Sequence, residues 1–284
     1  MTTEASAQDS TRTGGTLFLV PSTLGGGALG NVLPESVIKA IRGLDSFIAE
    51  DAKRARAFLR CVGVERQLAD VRIDVLNEHS DASELPRLLE PALRGGRIGL
   101  LSDAGYPAVL DPGAELVALA HRSGLRVVPL VGPCSLLLAL AASGLNGQSF
   151  SVHGYLPVDT AARAVRIREI EAQSRGDSSA HLFIEAPYRN NQLLAALLET
   201  CDPDTQLCLA TEVTLPTEAI RTLPVLQWRV DNPDLNRRPT VFILQASART
   251  RLSATVEQRS NASVPRRSRR RGGARSVRPG SRGA

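Results

Sequence analysis

Short apolar runs, each closed by a turn-forming residue, alternate with helical patterns along this chain of 284 residues. Thr16-Leu-Phe-Leu-Val20, for example, is an apolar run that Pro21 ends. Strands that alternate with helices are typical of α/β proteins, whose parallel strands are covered on both faces. The pattern predicts strands over residues 16–20, 46–49, 72–76, 97–101, 126–131, 150–154, 181–184, 206–210 and 240–244. The sequence therefore indicates an α/β fold with mostly parallel sheets.

Helical patterns fill the segments between these runs. Helices are predicted over about residues 34–42, 85–93, 113–122, 135–144 and 190–199, within 159–180, and over a segment that places Ala55, Phe58, Leu59 and Val62 on one face. The alternation restarts after residues 130–133, where we place a domain boundary. The prediction is an N-terminal domain over 15–131 and a C-terminal domain over 132–246.

Charge is distributed unevenly along the chain. The net charge is +5, but residues 247–284 contain eleven Arg and one acidic residue, Glu257, so this tail carries +10 and the remainder about −5. The tail and the polar residues 1–14 have too few apolar side chains to bury a core, and both are predicted to be disordered. Clustered arginines favour contacts with nucleic-acid phosphates, although an unstructured solubilising tail fits the composition equally well.

Several classes of site and location are disfavoured. The N-terminus has no apolar signal core, and no apolar run reaches the ~20 residues that cross a bilayer. The four cysteines form no CxxC pair, and no Cys–His cluster has zinc spacing. We therefore expect a cytoplasmic protein with free thiols, no metal and no membrane partner.

A glycine-rich stretch, Gly25-Gly-Gly27-Ala-Leu-Gly30, matches the spacing of a dinucleotide-binding fingerprint. That fingerprint requires the first glycine at the end of the strand and the helix to open inside the motif. Here Pro21 to Leu24 intervene, and Pro34 starts the helix later. The spacing argues against a nicotinamide site and favours a glycine loop that borders another ligand.

Two further turns follow strands and carry polar groups. Leu100-Leu-Ser-Asp-Ala-Gly-Tyr-Pro-Ala-Val-Leu-Asp-Pro-Gly113 places Asp103 just beyond a buried strand, where its carboxylate could accept hydrogen bonds from a ligand. Pro129-Leu-Val-Gly-Pro-Cys-Ser135 leads into a helix, whose first N–H groups suit a carboxylate. The structural alternatives are that Asp111 caps the helix ahead of Pro112 and that Ser135 is an N-cap.

Together these turns resemble the tetrapyrrole (corrin/porphyrin) methylase superfamily and, within it, the branch of the small-subunit ribosomal RNA cytidine 2′-O-methyltransferases. The resemblance spans about residues 16–245, and its specificity lies in the order of its motifs. Besides the two turns, the matching pieces are Ala49-Glu-Asp51, Asn77-Glu78, Gly154-Tyr-Leu-Pro157, Phe183-Ile-Glu185 with Pro187 and Arg189, and Thr211-Glu-Val-Thr214.

The resemblance implies two αβα domains with S-adenosylmethionine in the cleft between them. It implies a methyltransferase that forms a homodimer and acts on ribosomal RNA in the small ribosomal subunit. It also implies which residues line the cofactor pocket: Ser102, Asp103, Ala104, Gly105, Val109, Ser135, Ala210, Pro239 and Thr240.

Methyl transfer to a hydroxyl requires removal of a proton, so the carboxylates predicted at strand ends are candidates for catalysis. We assign catalytic roles to Glu50, Asp51, Glu185 and Arg189. Glu212 is a further carboxylate of this kind, and Lys53 is a further cation that could hold a phosphate or carboxylate. The candidate bases His79 and His153 are more simply explained as structural, and the alternative for Glu50 and Arg189 is a mutual ion pair across the interface.

The chain departs from the ribosomal branch on the acceptor side of the cleft. That branch carries Pro-Thr-Pro-Ile-Gly-Asn after its first strand, Thr-Arg after Glu-Asp, and Glu-Leu-Thr-Lys. This chain has Pro21-Ser-Thr-Leu-Gly-Gly-Gly, Ala52-Lys53 and Glu212-Val-Thr-Leu215 instead. The departures leave two alternatives open, a methylase of a tetrapyrrole or other small molecule and a non-catalytic relative.

Overall fold

A computed structural model describes residues 14–26, 28–64 and 66–247 of the chain. These residues form two five-stranded β-sheets, and apolar clusters bury both faces of each sheet under helices. The two segments predicted to be disordered, residues 1–14 and 247–284, lie outside the described residues apart from Gly14 and Ser247.

The first sheet is entirely parallel, in the order β3-β2-β4-β1-β5. Each pair of consecutive strands is joined through a helix, because a parallel connection has to cross from one end of the sheet to the other. The elements are β1 (Thr16–Val20), α1 (Glu35–Arg42), β2 (Ser46–Ala49), α2 (Ala52–Val62), β3 (Arg72–Val75), α3 (Leu85–Leu93), β4 (Arg97–Leu101), α4 (Ala114–Arg122) and β5 (Arg126–Pro129).

Apolar side chains alternate between the two faces of this sheet. Phe47 of β2 packs with the buried side chains of α1 and α2, whereas its neighbour Ile48 packs with those of α3 and α4. Full burial of one such large apolar side chain contributes about 1.5–3 kcal/mol to folding. The two-sided burial explains why the three central strands, β2, β4 and β1, are mainly apolar.

Helix α2 is bounded by a capping residue at each end. The Asp51 side chain caps the helix by accepting a hydrogen bond from the backbone N–H of Arg54 at 2.8 Å. Gly63 ends it in the left-handed conformation, with a φ of 76° that other residues adopt at a cost. The helix therefore begins immediately after the carboxyl end of β2.

The second sheet is mixed, in the order β6-β7-β10-β8-β9. Only β6 and β7 are parallel, and β10 lies between β7 and β8, antiparallel to both. Its elements are α5 (Ser135–Ser143), β6 (Phe150–Tyr155), α6 (Thr160–Asp177), β7 (Ala180–Ile184), α7 (Asn190–Thr200), β8 (Gln206–Thr211), β9 (Ala219–Pro224), α8 (Val225–Asp231) and β10 (Thr240–Gln245).

The predicted α/β class with two sheets is confirmed, and five of the eight strand pairs are parallel. The expectation of mostly parallel pairing holds for the first sheet but not within the second. The segment between β8 and β9 is too short for a helical crossover, so β9 has to return antiparallel.

Two elements of the second sheet were not predicted, β9 and α8. Strand β9 lies at the sheet edge, and its Arg and Thr residues leave it without a continuous apolar run. Trp228 of α8 is nevertheless a central core residue, and its indole N–H donates a hydrogen bond to the carbonyl of Leu207 at 2.8 Å.

The predicted domain boundary near residues 130–133 falls between the last strand of the first sheet and helix α5. The division into domains 15–131 and 132–246 stays a prediction. Within the described part of the chain, no helix is long and apolar enough to cross a membrane.

Candidate active site

The carboxyl ends of the strands bring the predicted turns of the first sheet together. The parallel register places both Val20 and Ala49 opposite Leu101, so the segments that follow β1, β2 and β4 start side by side. These segments contain the glycine loop, the candidates Glu50 and Asp51, and the turn that begins at Ser102. Ligands of open parallel sheets bind at this edge.

The turn at 102–105 is fixed by a buried hydroxyl. Ser102 is buried, its Oγ accepts a hydrogen bond from the backbone N–H of Ala104 at 3.2 Å, and its hydroxyl donates to the carboxylate of Asp111. Gly105 has a φ of +82°, and a Cβ there would lie 2.8 Å from Leu24 Cδ2. The glycine is required both for the turn and for the close approach of the loop after β1.

Asp111 forms a carboxyl pair with Glu50. Burial raises the pKa of Glu50 to about 7, with further contributions from repulsion by Asp111 and Asp103 and from a hydrogen bond with Asp111. Burial likewise raises the pKa of Asp111. Two adjacent carboxyl groups that share a proton resist simultaneous ionisation. The alternative that Asp111 caps α4 is wrong, since the N-cap is Gly113 and no side chain caps that helix.

Asp51 and Asp103 have separate contacts. The Asp51 carboxylate is the cap of α2, and its backbone hydrogen bond lowers its pKa. Asp103 forms an ion pair with Arg54 at 2.9 Å. Arg54 and Asp103 lie on the wall of a cavity of about 370 Å³, which we call the α2 pocket. The α2 pocket is also lined by Ser22, Thr23, Gly25, Gly26, Leu29, Ala55, Ala57, Phe58, Cys61, Leu101 and Ser102.

The edge of the second sheet contributes two carboxylates held by arginines. Both the Nε and a terminal nitrogen of Arg189 donate to Glu185 Oε1, at 3.0 and 2.7 Å. Arg238 donates in the same way to Glu212 Oε2, at 3.0 and 2.7 Å, and this hydrogen bonding lowers the pKa of Glu212. The alternative of an ion pair between Glu50 and Arg189 is therefore wrong.

A second cavity, of about 200 Å³, lies between residues of the two halves of the chain, and we call it the cleft pocket. Among the predicted cofactor residues, it brings together Ala104, Ser135, Ala210, Pro239 and Thr240. Its remaining lining was not predicted for the cofactor and consists of Leu24, Ile184, Glu185, Pro187, Glu212, Val213 and Val241. The position of Leu24 next to the glycine-rich stretch could have marked it as a candidate ligand contact. Its approach to Gly105, however, depends on the fold.

The other predicted cofactor residues lie around this cavity. Ser102 and Asp103 line the α2 pocket, and Gly105 contacts Leu24. Val109 is exposed and lies on neither lining. The two histidines that were candidate bases are also elsewhere, since His79 is exposed beside Glu78 and His153 pairs with His181 on the second sheet.

The chemistry of the cleft pocket fits S-adenosylmethionine, which has an apolar nucleoside face, a hydroxylated ribose and an amino-acid end. Its lining includes the apolar residues Leu24, Ile184, Val213 and Val241, together with Thr240. Ser135 is the first residue of α5, whose N-cap Cys134 provides no side-chain acceptor, so the alternative of Ser135 as the N-cap is wrong. The first N–H groups of α5 are therefore available to a carboxylate.

Two known proteins are similar to this chain over most of its length. The chain is 31% identical over 231 residues to "Ribosomal RNA small subunit methyltransferase I" of Vibrio cholerae, covering 80% of this chain and 75% of that protein. It is 32% identical over 233 residues to the protein of the same name from Pseudomonas aeruginosa, covering 81% and 78%.

Solved structures share the fold at lower identity. The methyltransferase CobJ superposes with a TM-score of 0.55 at 19% identity, covering 82% of this chain and 94% of that chain. Uroporphyrin-III-C-methyltransferase from Thermus thermophilus superposes with a TM-score of 0.50 at 21% identity, covering 82% and 93%. The profile of the family described as Tetrapyrrole (Corrin/Porphyrin) Methylases matches residues 27–227. The chain therefore belongs to the tetrapyrrole (corrin/porphyrin) methylases, enzymes that take a methyl group from S-adenosylmethionine.

Proposed function

We propose that this methyltransferase methylates a ribose 2′-hydroxyl of ribosomal RNA in the small ribosomal subunit. The observation that carries the proposal is the identity of 31–32%, over four-fifths of this chain, with relatives named as small-subunit ribosomal RNA methyltransferases. The ribose hydroxyl as acceptor is what the resemblance of the motifs implies. The protein would then act in the cytoplasm, where ribosomal subunits are found.

In this proposal S-adenosylmethionine occupies the cleft pocket and supplies an electrophilic methyl group. Ala104, Ser135, Ala210, Pro239 and Thr240 contact it directly. Ser102, Asp103 and Gly105 belong to the 102–105 turn beside this pocket. Val109 would contact the ligand only if the ligand extends beyond the cavity. The apolar walls exclude water, which would otherwise compete with the acceptor hydroxyl.

Glu50 is the proposed general base. Bound S-adenosylmethionine would supply the methyl group, and the Glu50 carboxylate would accept the proton of the acceptor hydroxyl. A pKa of about 7 suits this role, because a useful fraction of the group is ionised at neutral pH while its proton affinity stays high. Asp111 and Ser102 position Glu50 by hydrogen bonding.

The remaining candidates have supporting roles. The Asp51 carboxylate fixes the start of α2, which borders the α2 pocket. Arg189 neutralises the buried Glu185 beside the cleft pocket, so this pair controls the charge near the bound cofactor without transferring a proton.

We further propose that the enzyme is a homodimer. Exposed apolar side chains support this, because large apolar groups in water favour association. They include Leu137 and Leu138 on α5 and Phe150 and Val152 on the edge strand β6. Sedimentation equilibrium of the full chain would give one monomer mass if the proposal is wrong.

The function is tested with labelled S-adenosylmethionine. Purified protein is incubated with small ribosomal subunits that lack the modification, and in parallel with a mixture of porphyrinoids. We expect label in ribosomal RNA that survives as a 2′-O-methyl nucleoside after digestion. Label in a porphyrinoid alone would establish the small-molecule alternative, and binding of S-adenosylmethionine without any transfer would indicate a non-catalytic relative.

A further inference from the structure

Helix α2 carries a concentration of positive charge. Its eleven residues, Ala52–Val62, contain Lys53, Arg54, Arg56 and Arg60 and no acidic residue. Residues 1–246 as a whole carry a net charge of about −5. The positive charge of α2 is therefore opposite in sign to that of the folded body around it.

The helical repeat separates α2 into three faces. Ala55, Leu59 and Val62 are buried against the first sheet. Arg54, Ala57, Phe58 and Cys61, at spacings of three and four residues, line the α2 pocket. Lys53, Arg56 and Arg60 are spaced by three and four residues and form the third face, which we call the basic stripe.

The cations of the basic stripe make few side-chain contacts within the described residues. Lys53 and Arg60 are exposed, and within residues 14–26, 28–64 and 66–247 neither makes a side-chain hydrogen bond or an ion pair. Arg56 is half-buried and makes one long hydrogen bond, 3.4 Å, to the carbonyl of Ala52 on its own helix. Three cations beside a cavity, with no carboxylate paired to them in the described structure, can bind an external polyanion without first breaking an ion pair.

We propose that the basic stripe binds the phosphate backbone of the RNA strand whose target nucleotide enters the α2 pocket. This inference rests on the proposed function and specifies the surface that recognises the substrate. At 1.5 Å of rise per residue the stripe extends about 10 Å along the helix, long enough for lysine and arginine side chains to contact successive phosphates. Guanidinium groups hold phosphates through two parallel hydrogen bonds, and contacts of this kind position a strand without reading its sequence.

The α2 pocket completes the surface. Phe58 lines this pocket, and its aromatic ring could stack on a base. Arg54 also lines the pocket and forms an ion pair with Asp103 of the 102–105 turn. A strand that follows the basic stripe therefore delivers its nucleotide on the side of α2 that faces Ser102 and Asp103, next to the cleft pocket.

The test compares two triple variants of the full chain with equal changes in charge. The first is Lys53→Ala/Arg56→Ala/Arg60→Ala. The control is Arg94→Ala/Arg122→Ala/Arg168→Ala, which removes three exposed cations outside the lining of the α2 pocket: the C-cap of α3, which is ion-paired with Glu90, the last residue of α4, and a residue of α6. For each protein we measure binding to a small-subunit ribosomal RNA transcript across a salt series, S-adenosylmethionine affinity, and methyl transfer to small subunits.

Loss of about three phosphate contacts should reduce the slope of log affinity against log salt by about 2 in the stripe variant and leave it unchanged in the control. Cofactor affinity should match wild type in both. Equal slopes in all three proteins overturn the inference. If wild type binds RNA through the stripe but transfers no methyl group to small subunits, the surface stands and the proposed function fails, whereas absence of RNA binding by wild type overturns both.

Discussion

Three side chains, Ser102, Asp111 and Glu50, connect the turn after β4 to the carboxyl end of β2. Ser102 is buried, its hydroxyl contacts the Asp111 carboxylate and the Ala104 carbonyl, and Asp111 in turn forms a hydrogen bond with Glu50. The arrangement places an acid with a pKa of about 7 directly after β2, while Glu50 itself lines neither the α2 pocket nor the cleft pocket. The proton affinity of Glu50 therefore depends on its pairing with Asp111 as well as on its own burial.

Substitution Glu50→Gln should lower kcat for methyl transfer by about 10²–10³-fold, because the amide cannot accept the hydroxyl proton. S-adenosylmethionine affinity should remain unchanged. In wild type, activity should rise with pH through about 7 as Glu50 ionises, and this rise should be absent from the residual activity of the variant. A variant with wild-type kcat, or one that retains the rise near pH 7, would exclude Glu50 as the base.

Gly105→Ala tests the turn that separates the two pockets, with Gly124→Ala as a matched control. Both glycines have positive φ, +82° and +72°, so both substitutions should reduce the free energy of unfolding by about 1 kcal/mol. Only at Gly105 would the new methyl group collide with Leu24, which lines the cleft pocket. Calorimetry should therefore show weaker cofactor binding for Gly105→Ala alone, and equal affinities would remove this turn from the site.

At the level of the elements, β6, β7 and α6 are joined by a directional chain of hydrogen bonds. Arg166 donates to His153 Nδ1 at 3.2 Å, and His153 Nε2 donates to His181 Nδ1 at 2.8 Å. His181 Nε2 donates to the Ser179 hydroxyl at 2.9 Å, and that hydroxyl donates to Asp177. Each histidine accepts through one nitrogen and donates through the other, which requires both rings to be neutral.

Acidification should therefore weaken this part of the fold. Burial lowers the pKa of His153 to about 4 and also lowers the pKa of His181. The unfolded chain thus binds more protons than the folded chain between about pH 6.5 and 4. The stability contributed by neutral histidines is present above pH 6.5 and is lost as the pH falls through this window.

The comparison uses denaturant unfolding at several pH values for wild type and His153→Gln, with His79→Ala as the exposed control. Glu50 opposes the histidines, because a raised carboxyl pKa contributes stability that is lost as the pH rises through about 7. The informative quantity is therefore the difference between each variant and wild type. His153→Gln should lose less stability on acidification than wild type does, and an identical pH dependence would contradict the assignment.

The three central strands of the first sheet, β2, β4 and β1, were predictable from the sequence because burial on both faces gives them short, mainly apolar runs. Strand β9 was not predictable in this way, since an edge strand with Arg221 and Thr222 has no such run. The pairing of β10 with both β7 and β8 also depends on contacts between distant segments. For the same reason, the turns of the site could be located in the sequence, but not the partners of Glu50, Glu185 and Glu212.

At the scale of the whole molecule, the charges of the acidic body and the basic tail are separated along the chain. Residues 247–284 carry a charge of +10, and the basic stripe of α2 adds a small region of the same sign to the body. RNA is attracted to positive charge over distances near the Debye length, about 10 Å at 0.1 M salt. The two basic regions would therefore act additively on a long polyanion.

Deletion of residues 248–284 should leave the folded body intact. The deletion retains Ala246, whose buried backbone N–H donates to Ser174 Oγ at 2.9 Å. Melting temperature and cofactor affinity should stay near wild type, while RNA binding weakens most at low salt. Each phosphate contact that is lost lowers the salt slope by about 0.7. Equal slopes with and without the tail would show that it does not bind RNA.

The turn at 102–105 belongs to two cavities at once, since Ser102 and Asp103 line the α2 pocket and Ala104 lines the cleft pocket. If a ligand in either cavity shifts this turn, the two ligands cannot bind independently of each other. Thermodynamic linkage then imposes reciprocity: whatever factor the cofactor applies to the affinity for the acceptor, the acceptor applies to the affinity for the cofactor. That single coupling energy would be the same whichever of the two substrates binds first.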